Sequence, residues 1–273
     1  MLTEGPLSSE SSNRGTATLR RALEVLDAFT SSRPRLTLAE LATITRQDKA
    51  TLLRHLDVFL ATRLVERHGD AYSLGLGAFA LGASYLAQHD VYAISRAPME
   101  ELAEHLGETI SLAIRDGSEV VYVEVVHGQS EIGVQSSVGV RQPAHTSALG
   151  KVLLAWLMPE EREASVYVHP MVRMTSHTIT SAGELEAHLE EVRRNGYAMD
   201  NEERAEGIRC VATPIWDRTG RVTAALSVSG ASFRMVGEHL EDSREACMAA
   251  TRLMSLRLGA NVDDLMRAGP ASA

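Results

Sequence analysis

Residues 36 to 59, LTLAELATITRQDKATLLRHLDVF, constrain the fold more than any other stretch. Thr37 precedes an apolar-periodic segment and Glu40 follows three residues on. That spacing predicts a capping box, in which the Thr hydroxyl accepts a backbone N–H and the Glu carboxylate reaches back. The helix it opens turns Leu38, Leu41 and Ala42 inward and ends near residues 43–45. Asp48 is placed to cap a second helix, along which Leu52, Leu56, Phe59 and Leu60 recur at helical spacing. Lys49, Thr51 and Arg54 fall off that stripe and are not needed for packing, whereas His55 reads as a half-buried packing residue. Leu64-Val65 and Tyr72-Ser73-Leu74 then flank a Gly-Asp turn as a small hairpin. Upstream, residues 18 to 31 put Leu19, Ala22, Leu23, Leu26 and Phe29 on one helical face, and Arg33-Pro34-Arg35 breaks it. The order is helix, helix, turn, helix, hairpin, which is the outline of a winged helix-turn-helix. In that design the second helix of the motif enters the DNA major groove and the wing touches the backbone.

The charge distribution agrees. Net charge over the 273 residues is -9. Residues 14 to 75 carry ten Lys/Arg against seven Asp/Glu, a local balance of +3 on an otherwise acidic chain. A modest DNA-binding head on a solvated body has this asymmetry. The length suits two domains, and 44% hydrophobic with 23% charged residues suits globular cores. No apolar run is long enough to span a bilayer, and the acidic, Ser-rich N-terminus does not read as a secretory signal. Two cysteines, Cys210 and Cys247, form neither a disulfide framework nor zinc-ligand spacing. A cytoplasmic protein without cofactor or metal is expected.

Beyond residue 75 the pattern mixes helices with antiparallel strands, an α+β arrangement. Residues 76 to 95 read as one helix, apolar on much of its surface but weakened by Gly77 and Gly82; packing against another subunit would account for the excess. APMEELAEHLGE is an amphipathic helix. TISLAIR and EVVYVEVV are strands about Asp116-Gly117, and EIGVQ and GVRQPAH are further strand material. SALGKVLLAWL is a helix, and so is the stretch from Gly183 to Asn195, closed by Gly196. CVATPIW and RVTAALSVSG form a hairpin about Asp217 to Gly220, and residues 237 to 259 form a final helix.

RALEVLDAF, LTLAELA, KATLLRHL and YSLG in the head resemble the IclR family of bacterial transcriptional regulators. So do GETISLAIRDGSEVVYVE, AHTSALGKVLLAWL and GYAMDNEERAEGIRCVATPIWDRTGRVTAALSVSG in the body. The resemblance covers roughly residues 16 to 258. It implies a tail over 1–15, a winged helix-turn-helix domain over 16–75, a linker helix over 76–95, a GAF/PAS-like effector-binding domain over 96–260 and a tail over 261–273. It also implies a homo-oligomer, dimer or dimer of dimers, that binds double-stranded operator DNA and a small-molecule effector. The family usually carries Gly in the helix-turn-helix turn, where this chain has Arg46 and Gln47, and His55 replaces a common Leu.

On the matching motif, Lys49, Thr51 and Arg54 are candidate DNA contacts. Arg54 suits a guanine edge or a phosphate, and Gln47 suits adenine. Arg20, Arg21 and Arg67 are candidate backbone contacts. In the body, Ala148 and Leu149 open a helix whose free amides suit a carboxylate. Asp200, Cys210, Ser227 and Ser229 match the family's pocket positions, and the two serines share one strand face. The function expected is a ligand-responsive regulator, repressor or activator, of a catabolic or metabolic operon; an organic acid suits the amides and hydroxyls as effector, and aromatic or amide effectors are equally compatible with the family's breadth. Two other readings remain open: an enzyme using Cys210, His145 and Asp200, or an architectural DNA-binding protein with no effector. Neither a Gly-x-Ser-x-Gly nor a Cys-x-x-Cys motif supports the enzyme.

Overall fold

The computed structural model describes residues 9–130, 134, 136–168 and 170–262. The chain divides into two compact units, the first ending at Gln88 and the second beginning at His89.

The first unit opens with α1 (Ser9–Asp27), so helix already occupies residues 9–15, which the sequence assigned to a tail; residues 1–8 of that assignment lie outside the described residues. Then follow β1 (Leu36–Thr37), α2 (Leu38–Thr45), α3 (Lys49–Ala61), β2 (Val65–His68) and β3 (Ala71–Leu74). The three strands pair antiparallel in the order β1-β3-β2. Thr37 Oγ1 accepts from Glu40 N (3.3 Å) while Glu40 Oε2 accepts from Thr37 N (2.7 Å), completing the capping box. Asp48 Oδ1 accepts from Thr51 N (2.9 Å) and starts α3. Leu41, Leu52, Leu56 and Phe59 close on Val25, Ala28, Phe29 and Tyr72 as one core. The face expected over residues 18 to 31 is met in part: Ala22 and Leu26 pack against this core. Val25, Ala28 and Phe29 are buried, whereas Leu19 and Leu23 are 61% and 50% exposed.

The segment 76–95 is two helices and not one linker: α4 (Leu76–Leu86) and α5 (Asp90–Leu106). The reason is local. Gln88 Nε2 donates to Ser84 O (2.8 Å) and closes α4, while Asp90 places a carboxylate at the positive end of α5. The glycines entering α4 are required by close approach, since a Cβ on Gly75 or Gly77 would lie 2.5 or 2.7 Å from the Arg63 carbonyl oxygen.

In the second unit, α5 is followed by β4 (Thr109–Asp116), β5 (Glu119–Val126), β6 (Arg141–Pro143) and a 3-10 turn (Ala144–Thr146). Then come α6 (Ala148–Ala155), α7 (Pro159–Ser165), α8 (Ala182–Asn195), β7 (Ala198–Asn201), β8 (Ile208–Trp216), β9 (Val222–Ala231) and α9 (Gly237–Arg257). EIGVQ lies outside the described residues apart from Val134. The six strands pair antiparallel in the order β6-β5-β4-β9-β8-β7. Side-chain alternation divides the sheet between two cores. Ala113, Tyr122, Ala212 and Ala225 face α6 and α8; Leu112, Val211, Ile215, Leu226 and Val228 face α5 and α9. After α9 the chain is still packed: Ala260 and Val262 are buried against Trp216, so the tail assigned from 261 does not begin at once.

Candidate DNA-contacting face and effector pocket

On α3, the residues that packing leaves over stand outward. Lys49 and Arg54 are exposed and Thr51 is half-buried. Arg54 Nη2 donates to Thr51 Oγ1 (3.0 Å) and its Nε to Ala50 O (3.4 Å), so the guanidinium lies along the helix in the free protein. At the wing, Arg67 Nε donates to Gly69 O (2.9 Å) beside the Tyr72 ring. Arg20 and Arg21 are exposed on α1. Gln47 departs from expectation. It is 8% exposed, and its Nε2 donates to the Arg21 carbonyl (2.8 Å), so it ties the turn to α1 and is withdrawn from the surface. The α1 backbone supplies an acceptor that only tertiary structure reveals. His55 is buried beyond the half-burial expected. Burial, then the charges of Arg54 and Arg21, lower its pKa and keep the ring neutral near pH 7.

In the second unit, the six residues the sequence singled out line one cavity of about 170 Å3. Every strand of the sheet contributes: Ser111 from β4, Tyr122 from β5, Gln142 from β6, Asp200 from β7, Ile208 and Cys210 from β8, Ser227 and Ser229 from β9. Register explains the convergence, because Ser227 pairs with Ser111 and Ser229 with both Thr109 and Cys210. Ala148 and Leu149 bring the first turn of α6 to the same space. Ser147 Oγ accepts from Gly150 N (3.1 Å), and the amides of Ala148 and Leu149 have no acceptor within the helix. Gly150 permits this placement, since a Cβ there would lie 1.9 Å from the Ala144 carbonyl oxygen.

Asp200 is 1% exposed. Its Oδ1 accepts from Glu203 N (2.7 Å) and Arg204 N (3.3 Å), so it caps the turn as well as lining the cavity. Burial, then the neighbouring Glu203 charge, raise its pKa to about 6 against the opposing pull of Lys151. Lys151, itself buried, meets Glu203 Oε1 at 2.6 Å. Arg204 was not singled out from sequence. It lines the cavity, and its buried Nε has no hydrogen-bond partner; Ser136 Oγ and Gln142 Oε1 are likewise unpartnered. Buried polar atoms without partners ask for a ligand or water. A second cavity of about 180 Å3 lies between β8 and α9. It lacks such converging unpartnered groups, so the first is the better candidate.

The arrangement does not suit a cysteine nucleophile. Burial, then the charge of Asp200, push the Cys210 thiol well above its ordinary pKa, which disfavours the thiolate. His145 Nε2 is engaged with the Val172 carbonyl (3.0 Å), and burial lowers its pKa. Among the described residues no three His, Cys, Asp or Glu side chains form a metal-holding cluster, and no helix is long and apolar enough to cross a membrane.

Comparison with known proteins matches residues 18–69 to the IclR helix-turn-helix domain and residues 83–256 to the bacterial transcriptional regulator IclR C-terminal domain. The HTH-type transcriptional regulator XynR of Escherichia coli is 32% identical over 243 residues, which is 88% of this chain and 96% of that protein. The regulator KdgR of Escherichia coli is 35% identical over 224 residues, 81% of this chain and 85% of that one. The crystal structure of Thermotoga maritima IclR superposes with a TM-score of 0.74 at 28% identity, covering 90% of this chain and all of that one. These relatives are transcriptional regulators and not enzymes. Both domains match the family models, and the chain therefore belongs to the IclR family of bacterial transcriptional regulators, ligand-responsive proteins with a DNA-binding helix-turn-helix.

Proposed function

We propose that this regulator controls a metabolic operon from the cytoplasm, as a homodimer or dimer of dimers, in response to a small organic acid. Lys49, Thr51 and Arg54 are the groove-facing residues, with Arg20, Arg21 and Arg67 on the DNA backbone. The effector carboxylate is received by the Ala148 and Leu149 amides and the Arg204 guanidinium. Ser227, Ser229, Asp200 and Cys210 contact the remainder of the molecule. The observation that carries the effector reading is the set of unpartnered polar atoms on Arg204, Ser136 and Gln142 around a cavity fed by all six strands. A carboxylate satisfies the cationic donor and the helix amides together. An effector that prefers one arrangement of the bodies shifts the affinity of paired heads for half-sites spaced by about one helical turn or a multiple.

Two measurements test this. Thermal shift against a panel of small carboxylic acids should find one that stabilises the wild-type chain and not Arg204→Gln, since a ligand of the native state raises its melting point. In footprinting on the chain's own upstream region, Arg54→Ala should lose binding by about tenfold or more while keeping its fold and oligomeric state. Unchanged protection by Arg54→Ala would remove α3 from the interface.

A further inference from the structure

Arg46, in the turn between α2 and α3, adopts φ 54° and ψ 35°. This left-handed region crowds an L side chain and is ordinarily filled by glycine. Among the described residues no contact of the Arg46 side chain offsets that cost. The Arg46 side chain is exposed, and among the described residues it makes no hydrogen bond or ion pair. Its neighbour Gln47 is turned inward onto α1. The next residue, Asp48, puts a carboxylate on the first turn of α3, held ionised by the Thr51 backbone N–H. That carboxylate occupies the helix end where bare amides would attract a phosphate. A DNA strand approaching α3 therefore meets a negative charge, flanked by Lys49 on one side and Arg46 on the other.

We infer that Arg46 is a DNA-backbone contact built into the turn: its guanidinium takes a phosphate beside the start of α3, offsetting Asp48, and the strained conformation is what places it there. This rests on the helix-turn-helix binding DNA but not on the effector assignment. A phosphate contact acts on any sequence and shows in the salt dependence of binding.

The test compares the full-length wild type with Arg46→Gly, Arg46→Asn and Arg46→Lys. Each is titrated by fluorescence anisotropy with a random-sequence duplex across a sodium chloride series, and each is melted without DNA. Arg46→Gly should melt about 2–4 °C higher. Arg46→Gly and Arg46→Asn should bind several-fold more weakly at low salt, with the slope of log affinity against log salt reduced by about 1 per engaged head. Arg46→Lys should keep the wild-type slope. Wild-type affinity and slope in Arg46→Gly would overturn the inference and leave the turn strained without return. So would a loss of slope in Arg46→Lys equal to that in Arg46→Gly, because charge would then not be the cause. Failure of the wild type to bind the duplex would instead strike at the DNA-binding head as a whole, and this contact would fall with it.

Discussion

Asp200 caps its turn through one carboxylate oxygen and lines the cavity of the second unit, and burial has raised its pKa to about 6. A carboxyl group whose folded pKa exceeds its unfolded value contributes stability that is fully present below the unfolded pKa, and that contribution is lost as pH rises through the folded pKa. Asp200→Asn retains an oxygen for the Glu203 and Arg204 amides but cannot ionise. Its melting point should match wild type near about pH 4 and exceed it near about pH 8, by a stability on the order of 2 kcal/mol. Equal melting points across that range would mean that the carboxyl ionises without cost. Ser227 and Ser229 were legible beforehand because strand alternation puts them on one face. Ser111, Tyr122, Gln142 and Arg204 were not: they reach the cavity only because β4 lies beside β9 with β5 and β6 beyond it, and because β7, which Arg204 follows, pairs with β8 on the other side, an order that local periodicity does not encode. Gln47 failed for the opposite reason. Its partner is a carbonyl 26 positions away in sequence, and no local pattern signals it.

At the level of elements, the rules that read well were those whose cause is local. The Thr37 capping box, the Asp48 cap and the left-handed Gly196 after α8 all stand where the sequence put them. The β8–β9 hairpin also turns about Asp217, whose carboxylate accepts the Thr219 and Arg221 amides. The break between α4 and α5 is only the short polar stretch Gln88-His89-Asp90, with apolar residues resuming at Val91, and the stop is a side-chain contact from Gln88 to Ser84 O that no local pattern signals. Short α7 and four-residue β7 carry too few residues to show a period. The element on which the pocket depends most is α6. Its first turn reaches the cavity only because Gly150 lies against Ala144. Gly150→Ala should push α6 off the 3-10 turn, cost about 1–3 kcal/mol of stability and abolish the thermal shift produced by any acid that stabilises the wild type. Retention of that shift would show that the α6 amides are dispensable for the effector.

For the whole molecule, the division into two units and the concentration of positive charge in the first were both visible as patterns of charge and periodicity. So was the apolar excess of α4, which the sequence already attributes to packing against another subunit. Leu76, Phe79 and Leu81 are 70%, 72% and 65% exposed, and the helix buries none of its residues in a single chain. A helix apolar on every side is normally enclosed. A second copy of the chain is the simplest enclosure, and the proposed binding to two half-sites would supply a reason to have one. Replacing Phe79 and Leu81 together by Asp should therefore lower the mass measured by sedimentation, and it should weaken binding to a two-half-site operator far more than binding to a single half-site. The comparison between the two DNAs separates lost pairing from a damaged head, because a damaged head weakens both equally. If the double variant keeps the wild-type mass and the wild-type preference for the full operator, α4 does not hold the copies together and its apolar surface has another occupant.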